Sequence, residues 1–326
     1  MNDDLYKKLH ADGIISDDSL QKLLQERKAP LFSLHWEIRS LLYIGVLLLT
    51  SGLGLLIYKN IDSIGHGFVL LLIAAICGGS LFYCFKNKAP FSRQKALSPN
   101  AYFDYILLLG SIMLVTFAGY LQFEYNIFGI HYGMAAFIPM VALYSIAYYF
   151  DHLGILSMAI ANMAIWMGVS VTPKELLWHN DFNSAHLINI YAILGGVLLL
   201  AAFATQHFKF KEHFKFSYQH YAVHILYITT LWGYFYYYNS VFAAVWIVAL
   251  FLLAFLLYKD GIKNNSFYFL LLTVLYGYVA ICCLMTRLFI SIPDEGGIML
   301  MLLYYIASAV GLIFFLIHLN KKIKVA

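Results

Sequence analysis

The chain has 326 residues, of which 62% are hydrophobic and 12% are charged, and its mean hydropathy is +0.75. Soluble domains are about 45–50% apolar and about 25% charged. So little polar surface on a chain of this length excludes a soluble enzyme, a nucleic-acid binder and a disordered protein, and it indicates an all-α, polytopic helical membrane protein. The net charge of +4 becomes informative only through its distribution along the chain.

Residues 1–39 are the polar part of the chain, and they predict a short cytoplasmic helical hairpin followed by a juxtamembrane helix. Gly13 suits the end of the first helix, and Ser16 suits the N-cap of the second. The second helix carries an apolar stripe of Leu20, Leu23 and Leu24. The stripe either packs within the protein or docks a partner protein, and no basic recognition helix follows it, so we expect no nucleic-acid partner. The start of the chain also lacks the basic and apolar runs of a cleaved signal peptide.

Ten later stretches are long and apolar enough to cross a bilayer, which takes about 20 residues. We predict a transmembrane helical bundle over residues 40–320 and a basic cytoplasmic tail over 321–326. The predicted spans are 40–58, 66–85, 103–121, 132–150, 153–171, 186–205, 219–238, 241–258, 267–286 and 297–318. Tight turns at Asp151–His152 and at Asn239–Ser240 separate neighbouring spans that would otherwise be too long to cross once.

The basic side chains predict the orientation of the bundle. When the N-terminus is assigned to the cytoplasm and the spans alternate, 18 of the 21 Lys and Arg residues fall in cytoplasmic segments. Such a bias is the positive-inside signal of membrane proteins. We therefore expect both termini in the cytoplasm, with the lipid bilayer as the surroundings of the bundle.

Two further segments carry a resemblance to a known family. The run from Leu9 to Leu24 contains Asp12-Gly13-Ile14-Ile15-Ser16, and the first predicted span opens with Leu42-Tyr43-Ile44-Gly45. That span is punctuated by glycine and ends at Asn60-Ile61-Asp62, where family members usually carry tryptophan between asparagine and aspartate. Over about residues 5–150 the chain resembles the prokaryotic membrane family called domain of unknown function 2157. The resemblance implies a bacterial inner-membrane protein and no catalytic residues.

Histidines supply the candidate metal ligands. His220 and His224 lie one turn apart on the seventh predicted span, and two histidines at this spacing can share a metal ion. No H-E-x-x-H motif accompanies them, and no opposing axial histidine for haem can be identified. Interfacial histidines bonded to water, headgroups or backbone are the alternative interpretation, and we predict no cofactor.

Three amides and one carboxylate are the remaining polar candidates. They are Asn60 and Asp62 after the first span, Asn162 within the fifth and Asn189 in the sixth. In a membrane such side chains commonly bond across helices, and we expect Asn162 and Asn189 to do so. Small residues one turn apart predict close helix packing at Thr50/Gly54, Ala164/Gly168 and Ala307/Gly311.

The function classes that remain are broad. No nucleophile–base pair, phosphate-binding loop or zinc-protease motif is present in the sequence, so we expect a non-enzymatic protein. An assembly or scaffold component of the cell envelope is the first expectation, because the polar N-terminal segment is separate and no ionisable residue is predicted at mid-membrane depth. A carrier or flippase for a small neutral or amphipathic molecule is the alternative, suggested by the ten spans and the many aromatic residues.

Overall fold

The computed structural model describes residues 10–19, 65–96, 98–99, 101–129, 131–171, 185–292 and 295–325, together with six single positions between 41 and 59. Regular secondary structure within these residues is entirely helical. The chain divides into two compact units, Met1–Phe68 and Val69–Ala326, and each is described by itself.

The described part of the first unit contains a turn between two helical segments. Gly13 has a φ of +71°, and its N–H donates to the carbonyl of His10 at 3.0 Å. The Ser19 N–H donates to the Ser16 hydroxyl at 3.3 Å, at the start of a helix that begins at Asp17. Both features agree with the predicted turn and cap. The remainder of the hairpin lies outside the described residues, as do Asn60 and Asp62, so the hairpin as a whole stays a prediction.

Nine helices follow in the described chain, and each overlaps one of the last nine predicted spans. They are α1 (His66–Lys86), α2 (Ala101–Tyr125), α3 (Met134–Phe150), α4 (Leu153–Val171), α5 (Ala185–His207), α6 (Phe214–Tyr236), α7 (Phe242–Lys263), α8 (Phe267–Ile290) and α9 (Glu295–Val325). Residues 321–325 of the predicted tail continue α9. Of the first span, only single helical positions are described.

Seven of the described helices are long and apolar enough to cross a membrane, which establishes a multi-span helical membrane protein. The predicted count of ten is confirmed only in part. Helix α3 is apolar but has 17 residues, and α6 is the least apolar of the described helices. The predicted turns between these helices and their successors are confirmed, since α3 ends one residue before Asp151 and α6 and α7 are joined by residues 237–241.

Helix α6 occupies the middle of the second unit. It packs most extensively on α5 and α7 and also contacts α4 and α8. One apolar cluster is formed by α1–α6 and includes Tyr218 and Ala222, while a second is formed by α6–α8 and includes Val223 and Tyr227. Buried polar side chains on α6, among them Gln219, Thr229 and Thr230, explain its low apolarity, because they face protein rather than lipid.

Candidate functional site

Three connections between helices meet at one end of the second unit, which we call the basic end. It comprises residues 87–96, 98–99, 151–152 and 208–213, with the start of α6 and the end of α7. Asp151 lies in a left-handed conformation (φ 62°) directly after α3, and its side chain is only 1% exposed. A buried carboxylate requires partners, since its desolvation costs several kcal/mol.

Asp151 finds these partners in both neighbouring connections. Its Oδ1 lies 2.6 Å from Nε2 of His213 and 3.2 Å from Nζ of Lys211, while its Oδ2 accepts a hydrogen bond from the Ala96 N–H. Lys211 is also 1% exposed, and its backbone N–H donates to the carbonyl of Arg93 at 2.9 Å. The carboxylate thus links the α1–α2, α3–α4 and α5–α6 connections.

The Lys211 ammonium occupies an unusual position. The residue has a φ of 51°, an uncommon value for a side chain with a Cβ atom. Its Nζ lies 5.3 Å from the centre of the Phe91 ring and pairs with Asp151 without hydrogen-bond geometry to any described residue. The contacts described for the Lys211 ammonium are thus its charge pair with Asp151 and the Phe91 ring, and the pair joins the connections.

His152, beside Asp151, begins the next helix. Its Nδ1 accepts a hydrogen bond from the Ile155 N–H at 3.2 Å, so this nitrogen carries no proton. Burial lowers the pKa of His152 below its ordinary value, and the Asp104 carboxylate opposes that shift. A neutral ring at this position is consistent with its capping role.

The sequence predicts the turn at Asp151 but not the pairing of Asp151 with Lys211. Lys209 and Lys211 are both basic residues of one short loop, and no local pattern indicates that only Lys211 is buried. Asp151 lies between two helices and not at mid-membrane depth, as expected of an ionisable residue, yet its side chain is buried there and not solvated.

The two candidate metal ligands on α6 do lie together. The rings of His220 and His224 are 4.8 Å apart, and each Nδ1 is hydrogen-bonded to a tyrosine hydroxyl of α8, His220 to Tyr268 at 2.6 Å and His224 to Tyr276 at 2.8 Å. No group of three His, Cys, Asp or Glu side chains suited to a metal ion occurs among the residues with a described position. The structure thus gives the pair a helix-packing role, and the metal site stays a prediction.

The two intramembrane amide candidates differ in what the structure shows of them. Asn162 is 7% exposed, and its Nδ2 donates to the carbonyl of Met158 at 3.0 Å, one turn earlier in α4. The bond described for Asn162 is thus to its own helix and not across helices. Asn189 is exposed on α5, and no bond across helices is described for it, so that expectation stays a prediction.

A lateral groove runs between α7, α8 and α9, and we call it the α7–α9 groove. Its volume is about 570 Å³. The lining is apolar with a few hydroxyl groups and consists of Phe251, Ala254, Phe255, Tyr258, Thr273, Val274, Gly277, Tyr278, Ile281, Tyr304, Ser308, Gly311, Leu312 and Phe315. Tyr278 and Ser308 bond across it at 3.1 Å and join α8 to α9.

Comparison with known proteins places the first part of the chain. No curated protein and no solved structure matches significantly. Residues 7–156 match the family model described as predicted membrane protein, DUF2157, which confirms the expected resemblance. The match begins within the first unit and ends in the first turn of α4, so the histidine pair and the α7–α9 groove lie outside it. Residues 7–156 of this chain are accordingly similar to the predicted membrane proteins of that family.

Proposed function

We propose that the protein is a non-enzymatic scaffold of a membrane assembly, in which a transmembrane helix of another protein packs into the α7–α9 groove. The observation that carries this proposal is the open position of α9. This helix has 31 residues and packs mainly on α8, and none of the residues in its most apolar stretch is buried. A helix with so little contact within the described chain has most of its surface available to a partner.

Small residues within the groove favour a helix as its occupant. A Cβ atom added at Gly277 or at Gly311 would have no described atom within 4 Å. The close packing predicted for Ala307/Gly311 is therefore not made within the described chain. Small residues let two helix backbones approach closely in a membrane, where packing and hydrogen bonds drive association.

Photo-crosslinking from adjacent residues of α9 tests the proposal. Phe315 lines the groove, whereas its neighbour Phe314 is exposed outside it. Each is replaced in turn by benzoylphenylalanine in the full chain, expressed at native level. We expect irradiation to give an adduct of defined mass with a different protein from position 315 only. The substitution Gly277→Leu fills the groove and should remove that adduct.

Several outcomes of the photo-crosslinking experiment would contradict the scaffold proposal. Equal adducts from positions 314 and 315, or adducts with lipid alone, would show that the groove is simply a lipid-facing surface. An adduct between two differently tagged copies of the chain would replace the scaffold proposal with self-association. Retention of the adduct in Gly277→Leu would mean that the partner lies elsewhere on α9.

The scaffold proposal includes a location and an orientation. We infer that α3 and α6 also cross the membrane, that the first predicted span completes ten crossings, and that the basic end faces the cytoplasm of a bacterial inner membrane. The concentration of Lys and Arg in alternate connections supports this orientation. The N-terminal hairpin remains the proposed site for a soluble cytoplasmic partner.

A carrier for an amphipathic molecule is the second candidate. It is favoured by the hydroxyl groups in a largely apolar groove, among them those of Tyr258, Tyr278 and Ser308. If the protein is a carrier, proteoliposomes containing it should move a fluorescently labelled phospholipid between leaflets, and Gly277→Leu should slow this movement. No transport above that of protein-free vesicles would remove this candidate and leave the scaffold proposal in place.

A further inference from the structure

We propose that a second groove, between α5, α6 and α7 at the basic end, binds a membrane phospholipid whose headgroup carries a primary amine beside its phosphate. The groove has a volume of about 190 Å³. Its apolar walls include Leu199, Phe203, Leu253 and Leu256, and its polar rim includes Lys215 and Asp260. This proposal is independent of the scaffold function, because it concerns a different face of the bundle.

Polar and apolar residues are separated along the groove as they are in a phospholipid. On α5 the lining runs from Leu199 to Gln206, and on α7 from Leu253 to Asp260. Seven residues of helix span about 10 Å, so the apolar wall lies about that far from the polar rim. The rim is thus placed to contact a headgroup at the membrane surface, and the wall to contact the first part of an acyl chain.

The groove is open to the membrane. The side chains of Phe203 and Leu256 are 65% and 56% exposed, although both line it. An acyl chain lying against these two side chains would cover their apolar surface without displacing any described helix.

Two opposite charges at the rim determine the class of headgroup. The Asp260 carboxylate accepts hydrogen bonds from Nε2 of Gln219 at 2.9 Å and from Nδ2 of Asn264 at 2.8 Å. Both donors are neutral amides, and no ion pair joins Asp260 to a cation in the described chain. Gln219 is 4% exposed, so the carboxylate is held from the protein side by a buried donor.

Lys215 supplies the complementary charge. Its side chain is half-buried at the rim of the same groove, and within the described chain it forms no ion pair with Asp260 or with another acid. A phosphate suits the ammonium of Lys215, and a primary ammonium two carbons further along the headgroup suits the carboxylate of Asp260. A choline headgroup provides no N–H donor for Asp260, and a glycerol headgroup provides no positive charge.

Lipid binding to the full purified chain tests the proposal. Phosphatidylethanolamine, phosphatidylcholine and phosphatidylglycerol of identical acyl chains are titrated in detergent, and bound lipid is counted by native mass spectrometry. We expect phosphatidylethanolamine to bind about tenfold more tightly than the other two. Asp260→Asn should abolish that preference, because the amide keeps an acceptor for Gln219 but loses the charge. Lys215→Met should weaken the binding of phosphatidylethanolamine and that of phosphatidylcholine to the same extent.

Lys259→Met is the matched control, since Lys259 adjoins Asp260 on α7 but contacts the ring of Phe255 at 4.4 Å and does not line this groove. It should bind like the wild type. Each variant must keep the wild-type elution volume and thermal midpoint to be compared. Free phosphoethanolamine should fail to displace the lipid at millimolar concentration, and full displacement would indicate a soluble ligand instead. Equal affinity for the three lipids, or equal losses in Lys215→Met and Lys259→Met, would overturn the proposal.

Discussion

Asp151 and Lys211 show how a single pair of side chains holds three connections together. Both are 1% exposed, and both lie in left-handed backbone conformations at the basic end. The carboxylate retains His213 and the Ala96 N–H as further partners, whereas the lysine has the Phe91 ring. Removing one member of a buried pair leaves the other charge uncompensated, which is more costly than replacing both.

We therefore expect Asp151→Asn and Lys211→Met each to destabilise the protein by about 3–5 kcal/mol. The double variant should be more stable than the sum of the single losses predicts, because no lone charge remains in it. The measurement is the temperature at which half of the protein stays monodisperse on gel filtration after heating in detergent. Lys209→Met, at an exposed lysine two residues away, should change it little. Additive losses in the double variant would contradict a direct pair.

At the scale of elements, two consecutive glycines of α5 differ in how closely a neighbouring helix approaches them. A Cβ atom on Gly195 would lie 2.6 Å from Cγ of Leu226 on α6, whereas a Cβ atom on Gly196 would meet nothing within 4 Å among the described atoms. The close approach of α5 and α6 thus requires glycine at one of the two positions. The sequence around Gly195-Gly196 does not indicate which of the two glycines this close approach requires.

The two glycines form a matched pair for a packing test. Gly195→Ala should destabilise the protein by about 1–3 kcal/mol, because the methyl group overpacks the interface with Leu226. Gly196→Ala should leave the stability unchanged or raise it by about 0.5–1 kcal/mol through its helix propensity. The same heating assay measures both. Equal effects of the two substitutions would mean that the α5–α6 interface tolerates movement at this level.

At the scale of the whole molecule, the described connections alternate between two ends. The basic end gathers the connections after α1, α3 and α5, and the hydrogen bond between Gln219 and Asp260 brings the start of α6 to the end of α7 at the same place. Ser291 follows α8 and therefore lies at the opposite end. From this arrangement the positive-inside rule predicts that the basic end faces the cytoplasm.

Labelling of introduced cysteines in intact cells checks this orientation. Ser291→Cys should react with a membrane-impermeant maleimide, whereas Lys88→Cys and Lys209→Cys should react only after the membrane is permeabilised. The four native cysteines lie within α1 and α8 as free, buried or half-buried thiols, so the unsubstituted chain supplies the background. Labelling of all three positions in intact cells, or the reverse pattern, would contradict cytoplasmic placement of the basic end.

Several features of this protein can be predicted from its amino-acid order: its class, nine described helices to within several residues at their ends, and the tight turn at Asp151–His152. Bilayer-length apolar stretches and abrupt polar breaks are local properties of the chain, which is why they are predictable. The resemblance of residues 7–156 to a known family is equally visible in the sequence. The burial of Lys211, the bonds of His220 and His224 to tyrosines of α8, and the bond of Asn162 to its own helix emerge only from the folded chain. Burial and the choice of partner depend on which helices become neighbours, and no local pattern encodes this. Central α6 packs on four described helices and carries buried polar groups, whereas α9 packs mainly on α8 and borders a groove that hydropathy does not distinguish from a lipid-facing surface.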